Sequence, residues 1–166
     1  MLNDDFADLQ PGQAQTDDQQ IDILLDLLAC GFENDADLDV VREAALNHLL
    51  RFPRLPDRTT AIMLGILADE DDSDLVINRK VVAIDVLAHM GPQAKPALTT
   101  LIDLLPLVES DRDSKRWLAL RAARAIWKIT GDSAPALEVA SKMLDDEEAW
   151  LMIHATGLLG EIKSAH

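Results

Sequence analysis

Four stretches of the chain carry the same apolar stripe, with the same spacing inside each stretch. In the clearest copy, Leu118, Ala122, Ile126 and Ile129 follow one another at steps of four, four and three, which places them on one side of an α-helix. The other three copies also have alanine second: Val41, Ala45, Leu49 and Phe52; Arg79, Ala83, Leu87 and Met90; Leu151, Ala155, Leu159 and Ile162. Successive copies begin 38, 39 and 33 residues apart, so the pattern predicts four amphipathic helices of a repeated unit.

A further apolar segment precedes each copy, and the sequence therefore predicts eight helices in four pairs. The first helix runs through residues 21–28 and stops at Gly31, and the second starts near Asp37 and ends at Pro53. The remaining six are expected at about 58–68, 75–90, 94–108, 114–130, 134–144 and 147–163. Pro96 and Pro106 lie in the first turn and near the end of the fifth helix, although Pro106 could cut it short.

Residues 1–16 differ in composition, with Pro11, Gly12, several glutamines and acidic side chains but no bases. They predict a flexible acidic arm. Thr16 and Gln19 then predict a capping box at the start of the first helix. Because one helix pair is too small to bury its own apolar face, residues 17–166 predict an all-α fold, an α-solenoid of about four stacked helical hairpins.

Three segments resemble HEAT repeats, in particular those of phycobilin-lyase-like proteins: residues 122–132, 83–92 and 159–162. The resemblance covers about residues 37–166 and implies a scaffold that binds other proteins. One position departs from the family pattern. The small residue after the stripe leucine is Ala88 in the second copy and Gly160 in the fourth, but Trp127 in the third, which implies that one joint between repeats packs differently.

The acidic composition excludes several classes of partner. A net charge of −15 argues against nucleic acid and against anionic membrane surfaces, both of which attract an excess of Lys and Arg. No apolar run reaches the ~20 residues of a membrane span, and the first residues do not resemble a signal peptide. Cys30 is the only cysteine, which excludes an internal disulfide and favours a cytoplasmic protein.

Motifs for catalysis or metal binding are missing from the sequence. The acidic run 69–74 begins like an EF-hand loop, but Asp74 occupies its glycine position and Lys80 its glutamate position. The acidic run 145–148 is expected to be a solvated turn at a helix N-terminus. The histidines are not spaced as ligand pairs: His48, His89, His154 and His166. We expect no cofactor, no metal and no enzymatic activity.

Residues 112–128 form a basic island, with six bases and one acid. Within it, one helix face carries Trp117, Arg121, Arg124 and Lys128, next to the alanine stripe. The matching faces carry Trp150, His154, Gly157 and Glu161 on the eighth helix, and Asn78, Val82, Asp85 and His89 on the fourth. In HEAT-like stacks the second helix of each pair lines the inner surface, so these rows would meet there. The predicted binding residues are Trp117, Arg121, Arg124, Lys128, Trp150, His154, Asp85 and His89.

An alternative interpretation needs no partner. The arginines would then be attracted to acids on neighbouring helices, such as Asp85 and Glu161, and the tryptophans would pack between repeats. The favoured function is a protein-binding scaffold acting through its concave face. Two others stay open: an inhibitor or immunity-type protein that masks a basic partner such as a nuclease, and an accessory lyase or chaperone of the phycobilin-lyase type.

Deleting residues 1–15 is expected to leave the thermal stability nearly unchanged, because this segment has little apolar surface to bury. Thermal unfolding of the full and truncated chains, followed by circular dichroism, measures the difference. A large fall in melting temperature would contradict the prediction and show that the arm packs on the rest of the chain.

Overall fold

The described residues of this computed structural model, 16–29 and 36–165, are helical and contain no strand. The α-helices are α1 (Asp17–Ala29), α2 (Ala36–Leu49), α3 (Arg58–Leu67), α4 (Asp74–Met90), α5 (Leu98–Asp103), α6 (Asp113–Thr130), α7 (Ala134–Lys142) and α8 (Ala149–Ser164). Two 3₁₀ helices, Gly91–Ala97 and Leu105–Glu109, flank α5. The all-α prediction is confirmed. The predicted arm, apart from Thr16, and the predicted helix stop at Gly31 lie outside the described residues.

Local sequence signals account for two of the helix ends. The capping box is confirmed at the start of α1, where the Thr16 amide donates to Gln19 Oε1 (3.1 Å) and the Gln19 amide donates to Thr16 Oγ1 (3.4 Å). At the end of α6, Gly131 takes the left-handed conformation with φ of 78°, and its amide donates to the Trp127 carbonyl (2.8 Å). The left-handed conformation ends the helix, and glycine adopts it without the strain that a side chain would cause.

The prediction of a single fifth helix over 94–108 is wrong. The chain there forms the 3₁₀ helix Gly91–Ala97, the six-residue α5 and the 3₁₀ helix Leu105–Glu109. Pro96 and Pro106 have no amide hydrogen, and their rings collide with the carbonyl four residues earlier in an α-helix. The backbone tightens instead into bonds over three residues, such as Leu107 N–H to Leu104 O (3.1 Å).

The helices pack in two sets. In one set, α2 contacts α4, α4 contacts α6, and α6 contacts α8. In the other, α1 contacts α3, α3 contacts the first 3₁₀ helix, and α7 contacts the second. Each helix of the first set also contacts the element that precedes it in the chain. Helices of neighbouring pairs therefore lie side by side in both sets.

The alanine column lies where these helices meet. Ala45, Ala83, Ala122 and Ala155 are all buried. Not every stripe position is buried, since Val41 is 44% exposed and Leu159 is half-buried. Small side chains at the buried positions let neighbouring helix backbones approach closely.

Helix α6 is buried on two sides and contributes to two apolar clusters. Its stripe residues, with Ala125, join a cluster formed with α1 to α4 and the 91–105 segment. The positions beside the stripe join a second cluster with α7 and α8: Ala119, Leu120, Ala123 and Trp127. Trp127 is 7% exposed and fills the joint with the last helix pair. A large side chain thus fills this joint, whereas the aligned positions of α4 and α8 carry Ala88 and Gly160.

Replacing Ala122 with Leu is expected to lower the free energy of unfolding by about 1–3 kcal/mol, because the added side chain overpacks a fully buried position. The matched control is Ala61→Leu, since Ala61 is an exposed residue inside α3 and the change there should stay within about 0.5 kcal/mol. Urea unfolding measures both. Equal stability of the two variants would show that the alanine column does not limit helix approach.

Candidate protein-binding groove

A groove of about 410 Å³ runs along one side of α4 and α6. Arg121, Arg124 and Lys128 of α6 form one wall, and residues from α4 and the end of α2 form the other: Asp85, Ala88, His89 and Leu50. Five of the eight residues predicted for the binding site therefore meet in one place. Leu50 and Ala88 were not predicted, because the periodicity of a single helix does not show how the end of α2 and the surface of α4 face each other.

The other three predicted residues form an aromatic cluster beside the groove. The ring centres of Trp117 and Trp150 are 5.5 Å apart at 66°, and the His154 ring is 4.6 Å from that of Trp117. Arg121 connects the cluster to the groove, since its guanidinium lies 5.1 Å from the centre of the Trp117 ring. The two tryptophans pack against each other between α6 and α8, which is the arrangement of the alternative interpretation. Trp150 nevertheless remains 37% exposed.

The cations of the groove are paired with acids on the neighbouring helices. Arg121 donates from Nε to Asp85 Oδ1 of α4 (2.9 Å), and a second guanidinium nitrogen contacts the same oxygen. Arg124 donates to Glu161 Oε2 of α8 at 3.2 and 3.1 Å, and Lys128 Nζ lies 3.6 Å from that oxygen. Three cations thus share two carboxylates, which leaves one excess positive charge in this part of an acidic chain.

The rest of the basic island is paired as well. Arg112 forms ion pairs with Asp72, which precedes α4 (3.1 Å), and with Asp74, the first residue of α4 (2.7 Å). Lys115 contacts Asp72 at 2.6 Å. Arg116 reaches Asp146 in the loop before α8 (2.9 Å). The island is therefore not an open basic surface. Its side chains hold the joints of α6 with α4 and with the last helix pair.

His89 has a defined role at the joint between α2 and α4. Its Nε2–H donates to the carbonyl oxygen of Phe52 (2.7 Å), beyond the end of α2. Because a carbonyl only accepts hydrogen bonds, this contact places a proton on Nε2. His89 thus stabilises the turn that leads to Pro53 while its ring lines the groove.

The ion pairs of Arg112 and Lys115 lower the pKa of the two acids at the start of α4, Asp72 and Asp74. The hydrogen bond from Lys115 lowers the pKa of Asp72, and hydrogen bonds from Arg112 and Ser114 lower the pKa of Asp74. The bond to Asp74 in turn raises the pKa of Arg112. A lowered pKa in the folded state means that these pairs stabilise the fold above the ordinary pKa of the acids, and that this contribution is lost as the pH falls through the folded values.

Comparison with protein-family models, with curated proteins and with solved structures gives no match to this chain. Within residues 16–29 and 36–165, no helix combines the length and the hydropathy needed to cross a bilayer. The same residues contain no group of three His, Cys, Asp or Glu side chains placed to hold a metal ion. The chemistry available in the groove is that of guanidinium and ammonium donors beside aromatic rings.

Replacing Arg112 with Gln is expected to raise the titration midpoint of Asp74, because that acid loses its strongest hydrogen-bond donor. Both Asp72 and Asp74 of the unmodified chain should titrate below 3.8, their ordinary value. Carboxyl-carbon NMR against pH measures the midpoints. Lys115→Gln is the matched comparison, since it should raise the midpoint of Asp72 more than that of Asp74. Midpoints at or above 3.8 in the unmodified chain would contradict the ion pairs.

Proposed function

We propose that the chain is a non-enzymatic, HEAT-like α-solenoid in the cytoplasm that binds another protein through the surface shared by α2, α4, α6 and α8. The solenoid is supported by the stripe that recurs every 33 to 39 residues and by the side-by-side contacts of successive helix pairs. The binding function rests mainly on one observation: Arg121, Arg124, Lys128 and His89 line an open groove beside an exposed tryptophan.

The chemistry of the groove indicates the kind of partner. Arginine and tryptophan are enriched among the side chains that anchor protein interfaces. Trp117, Arg121 and Arg124 lie on adjacent turns of α6, and Trp150 of α8 packs against Trp117. The excess cation favours a carboxylate, and the exposed part of Trp150 offers an apolar contact. We infer that the groove takes a peptide segment or loop with an acidic residue next to an aromatic or aliphatic one.

The pairing of Arg121 with Asp85 changes how this proposal has to be tested. Reversal of Arg121 alone places two carboxylates together in a site where both side chains are about one-fifth exposed. That change should lower the free energy of unfolding by about 1–3 kcal/mol. A loss of binding in this variant would then have two explanations, the changed charge of the groove and the lower stability of the fold. A double replacement, Asp85→Arg with Arg121→Asp, restores an ion pair but exchanges the charges across the groove.

We expect the charge exchange to recover most of the stability lost in Arg121→Asp without recovering binding. Partners are captured with the tagged chain and identified by mass spectrometry, and their affinity for each variant is then measured by titration calorimetry. Trp150→Ala should also lower the affinity for the captured partner. Lys142→Gln, which removes the ion pair between α7 and Glu109, should leave that affinity unchanged. If the exchanged pair binds as tightly as the unmodified chain, the groove charges serve the helix joints alone and the proposal fails.

The excess of acid supports a second candidate, an inhibitor-type protein that masks a basic partner. All six bases of residues 112–128 are engaged by acids, so the net charge of −15 is carried by other surfaces. Such a partner would be basic, would bind the groove variants and the unmodified chain equally, and would dissociate steeply with added salt.

A further inference from the structure

Exposed apolar side chains concentrate in the last helix pair. Of the ten large apolar side chains that are exposed in the described residues, five belong to this pair: Leu137, Leu144, Trp150, Met152 and Ile153. Ile153 is the most exposed of the five at 65%. Trp150 belongs to the aromatic cluster beside the groove, so the other four are apolar side chains that the groove does not explain. Single exposed apolar residues are ordinary, whereas several close together indicate a contact surface.

The exposed positions of α8 correspond, through the repeat, to buried positions of α6. Aligning the stripes of α6 and α8, which are 33 residues apart, places Ala119, Leu120, Ala123 and Trp127 opposite Met152, Ile153, Thr156 and Gly160. The four positions of α6 are buried against α7 and α8. All four positions of α8 are exposed. We define Met152, Ile153, Thr156 and Gly160, with the adjoining Leu144, as the end face.

The equivalent positions of α4 follow the same rule. Aligned with α6 they are Lys80, Val81, Ile84 and Ala88, of which Val81 and Ile84 are buried and the other two half-buried. This face is thus covered by a following helix in α4 and in α6, whereas in α8 no described residue covers it. A helix face with no helix on it is ordinarily polar, whereas the end face of α8 carries the exposed apolar side chains Met152 and Ile153.

The charges around the end face indicate which kind of partner can bind there. Asp145, Glu147 and Glu148 lie in the loop that enters α8, and Glu148 is the N-cap residue of that helix, five positions before Ile153. None of the three carboxylates forms an ion pair in the described part of the chain. Asp146, which lies between them in the sequence, forms an ion pair with Arg116. A second copy of this chain docked symmetrically would bring like charges together, which is unfavourable.

We propose that the end face of α8 binds an amphipathic helix of another protein, with an apolar stripe flanked by lysine or arginine. The apolar stripe covers Met152 and Ile153, and the open space at Gly160, where an added Cβ would meet no atom within 4 Å, admits a larger side chain of the partner. The flanking cations pair with the three free carboxylates. This surface is separate from the groove, which is lined by residues of α4 and α6 and by Leu50.

The test uses the full chain and a synthetic helix as probe. A fluorescent Leu/Lys peptide of the length of α6, 18 residues, with leucines at steps of three and four, is titrated by anisotropy. A Leu/Glu peptide of identical pattern tests the charge, and a scrambled Leu/Lys peptide tests the stripe. We expect the Leu/Lys helix to bind and the other two to bind far more weakly.

Matched variants locate the binding. Met152→Ser with Ile153→Ser should weaken the Leu/Lys helix about tenfold or more, because two apolar contacts are lost. Ile23→Ser with Ile102→Ser removes two exposed apolar side chains elsewhere and should leave the affinity unchanged. Neutralising Asp145, Glu147 and Glu148 as amides should weaken binding more than neutralising Glu43, Glu70 and Asp103, which alters the net charge equally.

Several results would overturn the proposal. They are no binding of the Leu/Lys helix, equal loss in the control variants, or equal binding of the scrambled peptide. Self-association of the chain in sedimentation that disappears with Ile153→Ser would instead assign the end face to a second copy. Amide chemical shifts of the unmodified chain locate the binding site without any variant. Addition of the peptide should shift the amide signals of α8 and of the loop 144–148 rather than those of the groove residues.

Discussion

The structure depends on one constraint: helix α6 has to bury two of its sides while a third side remains at the surface. Alanines at Ala119, Ala122, Ala123 and Ala125 let helices approach it on both sides. Arg121, Arg124 and Lys128 are then confined to the remaining side, a few ångströms from Asp85 of α4 and Glu161 of α8. Ion pairs such as those of Arg121 and Arg124 follow from this confinement, because the close approach of the helices brings opposite charges within reach.

Much of this arrangement could be predicted from single-helix periodicity. The step of four, four and three placed the alanine column correctly, and the extents of α3, α4 and α6 follow from caps, prolines and Gly131. The fifth helix could not be predicted from the same pattern. Its apolar residues repeat as in an α-helix, but Pro96 and Pro106 each remove a backbone donor, and the local hydrogen bonding then prevails over the side-chain period.

The site was predicted in part because rows on adjacent helices can be aligned through the repeat. That alignment brought Asp85, His89 and the cations of α6 together and named Asp85 and Glu161 as possible counter-charges. It could not show that Arg116 would reach Asp146, since this contact depends on how the irregular loop before α8 folds back. Nor could it separate a recognition surface from a structural ion pair, because both use the same side chains in the same row.

The two apolar clusters have a consequence for how the molecule comes apart. They are joined chiefly through α6, whose one side belongs to the larger cluster and whose other side belongs to the cluster of α7 and α8. Detachment of the last helix pair would open only the smaller cluster and would expose Trp127, while α1 to α6 kept their packing. Cooperativity between the two ends of the chain therefore passes through α6 and the 3₁₀ helix Leu105–Glu109, which also packs against both clusters. We expect the last helix pair to unfold locally before the rest of the chain.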